Sequence, residues 1–70
     1  MTPLGMTSIG ETGSIQRITG RDEVRQHLAE LGFVVGEQVT VVSELGGNMI
    51  LSIKDSRVAI DKTMAMRIMV

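Results

Sequence analysis

The sequence predicts a mostly β domain with one helix inserted between its first and second strands. Three observations support this fold class. One segment has apolar residues at helical spacing, several short segments rich in β-branched residues follow it, and turns containing glycine or polar residues separate them. We expect the 70 residues to form a single domain, residues 1–70, with a small core and about 3 to 5 kcal/mol of stability.

The composition excludes several classes of protein. Cysteine is absent, so the chain can form neither disulfides nor thiolate metal sites, and a reducing cytoplasmic location is favoured. Seven basic and eight acidic residues are scattered without blocks, and Phe33 is the only aromatic residue, so nucleic acid is not an expected partner. No apolar run approaches the roughly 18 residues of a membrane span, and no signal-peptide pattern is present. We therefore expect a soluble protein without direct membrane insertion.

The predicted helix covers residues 21–31. Val24, Leu28 and Leu31 recur at i, i+4 and i+7, so they share one face, which we expect to cover the core. Acidic residues in the first turn suit the positive end of the helix dipole. The N-cap is expected to be either Asp22 or the threonine three residues before it, which resembles part of a capping box.

Gly32 marks the expected end of this helix. A glycine in this place can adopt the left-handed conformation of a Schellman ending, which returns the following residue, Phe33, to Leu28. Gly36 then opens the next strand. We therefore predict structural roles for five residues of this region: Leu28, Leu31, Gly32, Phe33 and Gly36.

The N-terminal part of the chain has weaker signals. Residues 1–7 contain the only proline and no periodic pattern, so we expect this segment to be partly frayed, with Leu4 and Met6 packed on the body. The first strand is expected within residues 13–19. Ile15 and Ile18 are three residues apart there, which fits a strand only if a bulge or a change of phase lies between them.

Four further short strands are expected after the helix, at residues 38–43, 49–53, 57–60 and 66–70. Gly46, Gly47 and Asn48 should join the first two of these as a hairpin whose loop exceeds the two-residue minimum. Asp61 should cap one helical turn over residues 62–64. Five short strands cannot form two packed sheets of useful size, whereas one bent sheet that closes on itself buries all inward-facing side chains. We therefore expect a small SH3-like β-barrel, with the helix capping one end.

Two segments, HLAELGFVVGEQVTVV and AIDKTMAMRIMV, resemble the FeoA family, small proteins of bacterial ferrous iron uptake. The resemblance extends from about Leu4 to Val70, and it rests mostly on packing residues of the helix end and the strands: Leu31, Gly32, Phe33, Gly36, Val39, Val41, Val58, Ile60, Ala65, Ile68 and Val70. Two positions depart from the family pattern. Val35 stands where the family usually has proline, and His27 where it commonly has a long basic side chain.

The resemblance implies an SH3-like barrel that assists FeoB, the membrane ferrous iron transporter with a cytoplasmic GTPase domain. The chain would then be a cytoplasmic accessory and regulatory protein that binds the GTPase-containing part of a FeoB-like transporter. The same domain also occurs on metal-dependent repressors, so a transition-metal-ion-binding sensor or regulatory domain is the alternative function. We do not expect an enzyme, because no hydroxyl has a neighbouring base in sequence and Gly46-Gly47 lacks the Lys-Ser/Thr of a phosphate loop.

Apolar residues outside the alternating core pattern are the candidate contacts with the transporter. The two glycines of the hairpin loop should expose Leu45 and Met49, and Val34 and Val35 should extend the same apolar patch. Arg25, on the outer face of the helix, is a weaker candidate. The sequence therefore predicts a partner-binding surface made mainly of loop residues.

One group of helical residues could bind a metal ion. Glu23, His27 and Glu30 follow one another at i, i+4 and i+7, a set of carboxylate and imidazole groups suited to Fe²⁺, Mn²⁺ or Zn²⁺. The simpler interpretation is a solvated helix face with a weak Glu–His pair. We expect no required cofactor, and at most weak binding of Fe²⁺ or another divalent transition metal.

Overall fold

The computed structural model describes all 70 residues and contains six strands, two α-helices and one 3₁₀ turn. In chain order these are the 3₁₀ turn Leu4–Met6, β1 Thr12–Ser14, β2 Arg17–Ile18, α1 Asp22–Glu30, β3 Gln38–Leu45, β4 Asn48–Ile53, β5 Ser56–Asp61, α2 Lys62–Ala65 and β6 Ile68–Met69. The predicted mostly β class is therefore confirmed, with one strand more than expected.

The strands form two antiparallel sheets. The larger sheet has the order β1-β3-β4-β5, and β2 pairs with β6 in the smaller one. Backbone pairing does not close the larger sheet into a barrel, because β1 and β5 remain at its two edges. No helix of the chain has the length and apolar character needed to span a membrane.

The predicted first strand is divided between the two sheets. Gly13 pairs with Val39 of β3, whereas Arg17 pairs with Met69 of β6. The chain passes from one sheet to the other between these residues. The N–H of Ile15 donates to the carbonyl oxygen of Glu37, and the N–H of Gln16 donates to the carbonyl oxygen of Met69. The expected change of phase is thus confirmed, and α1 follows the second strand because the first one is split.

The N-terminal residues are bound to the body of the domain, so the prediction of a partly frayed segment 1–7 was wrong. Thr2 and Val70 exchange two backbone hydrogen bonds of 2.8 Å each. Leu4 is fully buried in the core, as expected, but Met6 is 69% exposed and does not pack on the body. A 3₁₀ turn this short has no periodicity, so the sequence pattern could not indicate that the segment is ordered.

Helix α1 begins at Asp22, one residue later than predicted. Its N-cap is Arg21, which makes no side-chain capping bond, so both predicted caps were wrong. Asp22 instead accepts a hydrogen bond from the guanidinium of Arg25 within the helix. On the apolar face, Leu28 is fully buried and Val24 packs against the core from the side, as the helical spacing predicts.

The end of α1 is the predicted Schellman ending. Gly32 has φ +107°, and its N–H donates to the carbonyl oxygen of Ala29 at 3.0 Å. The N–H of Phe33 donates to the carbonyl oxygen of Leu28 at 2.9 Å. Leu28 and Phe33 are both fully buried, and Leu31 packs against the same core. Gly36, with φ +96°, lies in the turn two residues before β3 begins.

The β3–β4 hairpin has the tightest possible connection, which corrects the predicted longer loop. Leu45 pairs with Asn48, so only Gly46 and Gly47 form the turn, with φ +58° and +82°. Two consecutive glycines accept the positive φ values that such a two-residue turn requires. Asn48 therefore belongs to β4, and Met49 is the first inward-facing residue of that strand, with no exposed surface.

The core lies between the larger sheet, α1, α2 and the N-terminal 3₁₀ turn. It contains twelve buried apolar residues: Leu4, Ile15, Leu28, Phe33, Val39, Val41, Met49, Leu51, Ile53, Ile60, Ala65 and Ile68. Asp61 caps α2 as predicted, because its Oδ1 accepts a 2.7 Å hydrogen bond from the N–H of Met64. Because α2 continues to Ala65 with Met66 as its C-cap, the predicted final strand is shortened to β6.

Candidate partner-binding surface

Leu45 is the most exposed apolar residue of the hairpin, with 75% of its surface accessible. It is the last residue of β3 and stands directly before the Gly46-Gly47 turn. Single exposed leucines are common on monomers, but a side chain at a hairpin tip is free to meet a partner. The predicted exposure of Leu45 is thus confirmed, whereas Met49 cannot contact a partner because the core encloses it.

Lys62 connects the hairpin tip to α2. Its backbone N–H donates to the carbonyl oxygen of Gly47 at 3.1 Å, and its Nζ lies 2.8 Å from Oε1 of Glu44. Both side chains of this ion pair are largely solvated, so the pair contributes little to stability. The backbone hydrogen bond to Gly47 is therefore the contact that positions the hairpin tip against the first residue of α2.

An open groove of about 510 Å³ lies between the N-terminal 3₁₀ turn and α2. Six residues line it: Gly5, Met6, Thr7, Lys62, Thr63 and Met66. Met6 and Met66 are 69% and 39% exposed, so two flexible, polarizable side chains border the groove. Lys62 lines the groove and its backbone N–H donates to Gly47, so one end of the groove borders the hairpin turn.

Gly5 allows the close approach that forms this groove. A Cβ at this position would lie 2.7 Å from Sδ of Met66 and 3.2 Å from the carbonyl oxygen of Lys62. Only a residue without a side chain fits beneath Met66 in its present position. We call Leu45, Met6, Lys62 and Met66 the hairpin-end surface. Sequence reasoning found only Leu45, because the other three residues are joined by tertiary packing and share no sequence pattern.

Val34 and Val35 do not belong to the hairpin-end surface. They form the turn before β3, which is closed by the N–H of Glu37 donating to the carbonyl oxygen of Val34 at 3.1 Å. Val35 is 65% exposed and Val34 is half-buried. Seven residues of β3 separate this turn from Leu45, which corresponds to roughly 20 Å along a strand. The predicted single patch is therefore two surfaces at opposite ends of β3.

The remaining predicted site residues lie on the outside of α1. Arg25 is exposed, and its guanidinium is paired with Asp22. Glu23, His27 and Glu30 are exposed too, as their helical spacing requires. The structure contains no group of three or more His, Asp or Glu side chains placed to hold a metal ion, so these three residues do not converge as a site.

Comparison with known proteins agrees with the fold. A candidate Fe(2+) transport protein A of Methanocaldococcus jannaschii is 33% identical over all of this chain and 85% of its own length. The crystal structure of an iron uptake regulatory protein, FeoA, is 33% identical, with a TM-score of 0.88 over 96% of this chain and 89% of that one.

A zinc complex of Stenotrophomonas maltophilia FeoA, described as a prokaryotic SH3 domain protein, is 25% identical and has a TM-score of 0.80. The match covers 94% of this chain and 85% of that one. The predicted SH3-like fold is thus confirmed, although backbone pairing leaves the sheet open.

A manganese-dependent transcriptional repressor contains a similar domain. It is 22% identical, with a TM-score of 0.85, over 94% of this chain but only 38% of the repressor. This likeness shows that the fold is shared and carries no information on metal binding by this chain. The FeoA domain family, by contrast, matches residues 2–70. The match spans both sheets and both helices, so the chain belongs to the FeoA domain family.

Proposed function

We propose that this chain is a cytoplasmic accessory protein of ferrous iron uptake that binds the GTPase-containing part of a FeoB-like transporter and alters its activity. The observation that carries the proposal is the match of residues 2–70 to the FeoA domain family. A relative of 33% identity bears the name of an Fe(2+) transport protein, and the Stenotrophomonas relative has been proposed as an activating factor of ferrous iron transport.

The hairpin-end surface is our choice for the contact with the transporter. Interfaces draw most of their binding energy from a few apolar anchors that become fully desolvated, and charged residues at their rim set orientation. Leu45 at the hairpin tip and Met6 and Met66 at the groove offer three exposed apolar side chains, and the Glu44–Lys62 ion pair lies between the hairpin and α2. The binding of a partner would remove this apolar surface from water, which is the main favourable term.

The residue composition of this surface suits a regulatory role rather than a catalytic one. Its residues are a leucine, two methionines and a lysine whose ammonium is paired with Glu44, and no group of three or more potential metal ligands lies there. Such a surface can favour one conformation of a partner over another only by binding the two with different affinity. We therefore expect the domain to act on the transporter by stabilising one state of its GTPase-containing part.

The test is to titrate isotope-labelled domain with the GTPase domain of the FeoB-like transporter of the same cell, and with full-length transporter in detergent. Backbone amide shifts should map to the hairpin-end surface. Leu45→Ser should weaken binding about tenfold or more without changing the fold, because the side chain is already solvated in the free protein. Val35→Ser is the matched control, since Val35 is similarly exposed at the opposite end of β3.

Two other results have distinct meanings. Shifts confined to another surface, or equal affinity for wild type and Leu45→Ser, would show that the contact lies elsewhere on the domain. Absence of binding in every nucleotide state, with the isolated domain and with full-length transporter, would refute the proposed function itself.

A further inference from the structure

Strand β5 is an edge strand whose outer hydrogen-bonding side has no partner in the chain. It lies at the end of the order β1-β3-β4-β5. It is six residues long, contains no proline and carries no bulge relative to β4. Natural edge strands are usually shortened, bulged or covered, because unpaired backbone groups readily accept another strand. An intact edge of this length therefore needs an explanation.

The ladder with β4 determines which backbone groups point outward. The N–H of Lys62 donates to Gly47 at 3.1 Å, so this pair lies in hydrogen-bonding register. In an antiparallel ladder such pairs alternate, so Ile60 bonds to Met49 and the next bonded pair follows two residues earlier. The N–H groups of Arg57, Ala59 and Asp61 must then face away from β4. No backbone hydrogen bond outside the helices and strands uses them.

The solvent-exposed residues of β5 are complementary to the same residues of a second copy. If two copies pair antiparallel about Ala59, this residue faces its own copy, and Arg57 faces Asp61 of the other molecule at both ends. The outward N–H groups of Ala59 and Asp61 then each have a free carbonyl opposite them. The guanidinium and carboxylate meet twice, because the two-fold axis repeats each contact. Opposite charges at directly facing positions favour pairing, whereas like charges oppose it.

On the core-facing side of the same strand pair, the facing side chains are apolar. The register about Ala59 also places Val58 opposite Ile60 of the second copy, in a pair without hydrogen bonds, where side chains approach most closely. Val58 is only half-buried in the monomer although it packs against the core. The second copy would cover the part of Val58 that remains accessible. Both faces of the β5 edge thus match their own image in one register.

We propose that β5 pairs with β5 of a second copy of this chain, antiparallel about Ala59, joining the two larger sheets into one eight-stranded sheet. The central pair supplies two backbone hydrogen bonds, and the N–H of Asp61 donates to the carbonyl of Arg57 on each side. The carbonyl of Asp61 is excluded from this count, because the N-cap carbonyl accepts the first hydrogen bond of α2. This association is independent of the transporter contact.

The register can be tested by cross-linking, because the wild-type chain has no cysteine. In Ala59→Cys the two facing Cα atoms of the pair would lie about 5.5 Å apart, within the range of a disulfide. Mild oxidation should therefore convert this variant to a covalent dimer. Ser56→Cys is the matched control on the same strand, because its two copies would be six residues out of register, about 20 Å apart. Equal cross-linking of both variants, or of neither, would overturn the proposed register.

The association itself is measured by sedimentation velocity from micromolar to millimolar concentration. The wild type should shift from monomer to dimer, and Arg57→Asp, which places like charges opposite each other twice, should raise the dissociation constant about tenfold or more. Arg17→Asp, with the same change of charge on β2, should leave it unchanged. Ala59→Pro should also abolish the dimer while keeping the fold, because its N–H is not used by β4.

A wild type that stays monomeric at millimolar concentration would refute the proposal. So would a dimer that responds equally to Arg57→Asp and Arg17→Asp, since its interface would then lie elsewhere.

Discussion

The backbone N–H of Phe33 donates to the carbonyl oxygen of Leu28 at 2.9 Å, so the residue after the helix-ending glycine returns to the last buried turn of α1. Both side chains are fully buried in the core. This bond forms only because Gly32, between them, has φ +107°. The geometry of a single glycine therefore determines where α1 ends and where the only aromatic residue packs.

Gly32→Ala should destabilise the domain. A Cβ at this position meets only Cγ2 of Ile53, at 3.7 Å, so space is sufficient and the cost comes from the left-handed backbone, about 1 kcal/mol or more. Thermal unfolding should show a melting temperature lower by several degrees for a domain of this size. Gly13→Ala cannot serve as a control, although Gly13 has no positive φ, because the added Cβ would touch Val70. An unchanged melting curve for Gly32→Ala would contradict the role assigned to this glycine.

Leu28→Ala should leave the domain largely unfolded. Leu28 has no exposed surface, and removing a buried leucine side chain typically costs about 2 to 5 kcal/mol, comparable with the stability expected for 70 residues. The measurement is a proton–nitrogen NMR spectrum together with urea unfolding. Ala29, exposed on the same helix, offers a control through Ala29→Ser. A dispersed, native-like spectrum of Leu28→Ala would disprove the proposed packing.

The sequence predicted α1 and its end well, because both depend on local signals: an apolar stripe and a glycine with positive φ. It failed where the outcome depended on one residue of turn length. Treating Asn48 as loop placed Met49 beside an exposed turn, whereas the two-residue turn makes Met49 an inward residue of β4. Strand side chains alternate between faces, so a difference of one residue in the turn decides whether a side chain lies in the core or on the surface.

The candidate surface was found only in part for a related reason. Leu45 could be identified because glycines next to an apolar residue indicate an exposed turn. Met6 and Met66 lie sixty residues apart in sequence and meet at one groove only after the N-terminal 3₁₀ turn docks on α2. No periodicity connects them. Tertiary contacts of this kind cannot be read from spacing along the chain.

Met49→Ser should unfold the domain, and Leu45→Ser should not. The first change removes a fully buried side chain and places a hydroxyl in the core, which costs several kcal/mol in total by cavity and desolvation effects. The second acts on a side chain that is 75% exposed, so its effect should stay within about 0.5 kcal/mol. Chemical denaturation of both variants checks the contrast. Equal destabilisation would mean that the register of the β3–β4 hairpin is wrong.

The isolated domain should not bind Fe²⁺ tightly. His27 is the only histidine, cysteine is absent, and the carboxylates of Glu23 and Glu30 do not converge with it into a three-ligand group. Solvated carboxylates compete poorly with water for a divalent ion unless several converge. Anaerobic titration calorimetry should therefore detect no binding at micromolar concentration. Micromolar binding that is lost in His27→Ala would favour the metal-sensor function instead.

Gly5→Ala should destabilise the domain in a manner that depends on Met66. The added Cβ would lie 2.7 Å from Sδ of Met66, so this side chain must leave its present position over the groove. Forcing an extra methyl group into a packed site costs about 1 to 3 kcal/mol. In a Met66→Ala background the nearest obstacle is gone, and only the carbonyl oxygen of Lys62, at 3.2 Å, remains close. The cost of Gly5→Ala should then be smaller.

A double-mutant cycle measures this coupling directly. The four proteins, wild type, Gly5→Ala, Met66→Ala and the double variant, are unfolded in urea, and the stability change of the double variant is compared with the sum of the single changes. We expect a coupling of about 0.5 kcal/mol or more, because the two residues share one contact. The methyl resonance of Met66 should also shift in Gly5→Ala, since its side chain must turn towards solvent. Additive stability changes with an unmoved Met66 resonance would show that the 3₁₀ turn does not sit against α2 through Gly5, and the groove would lose its structural basis.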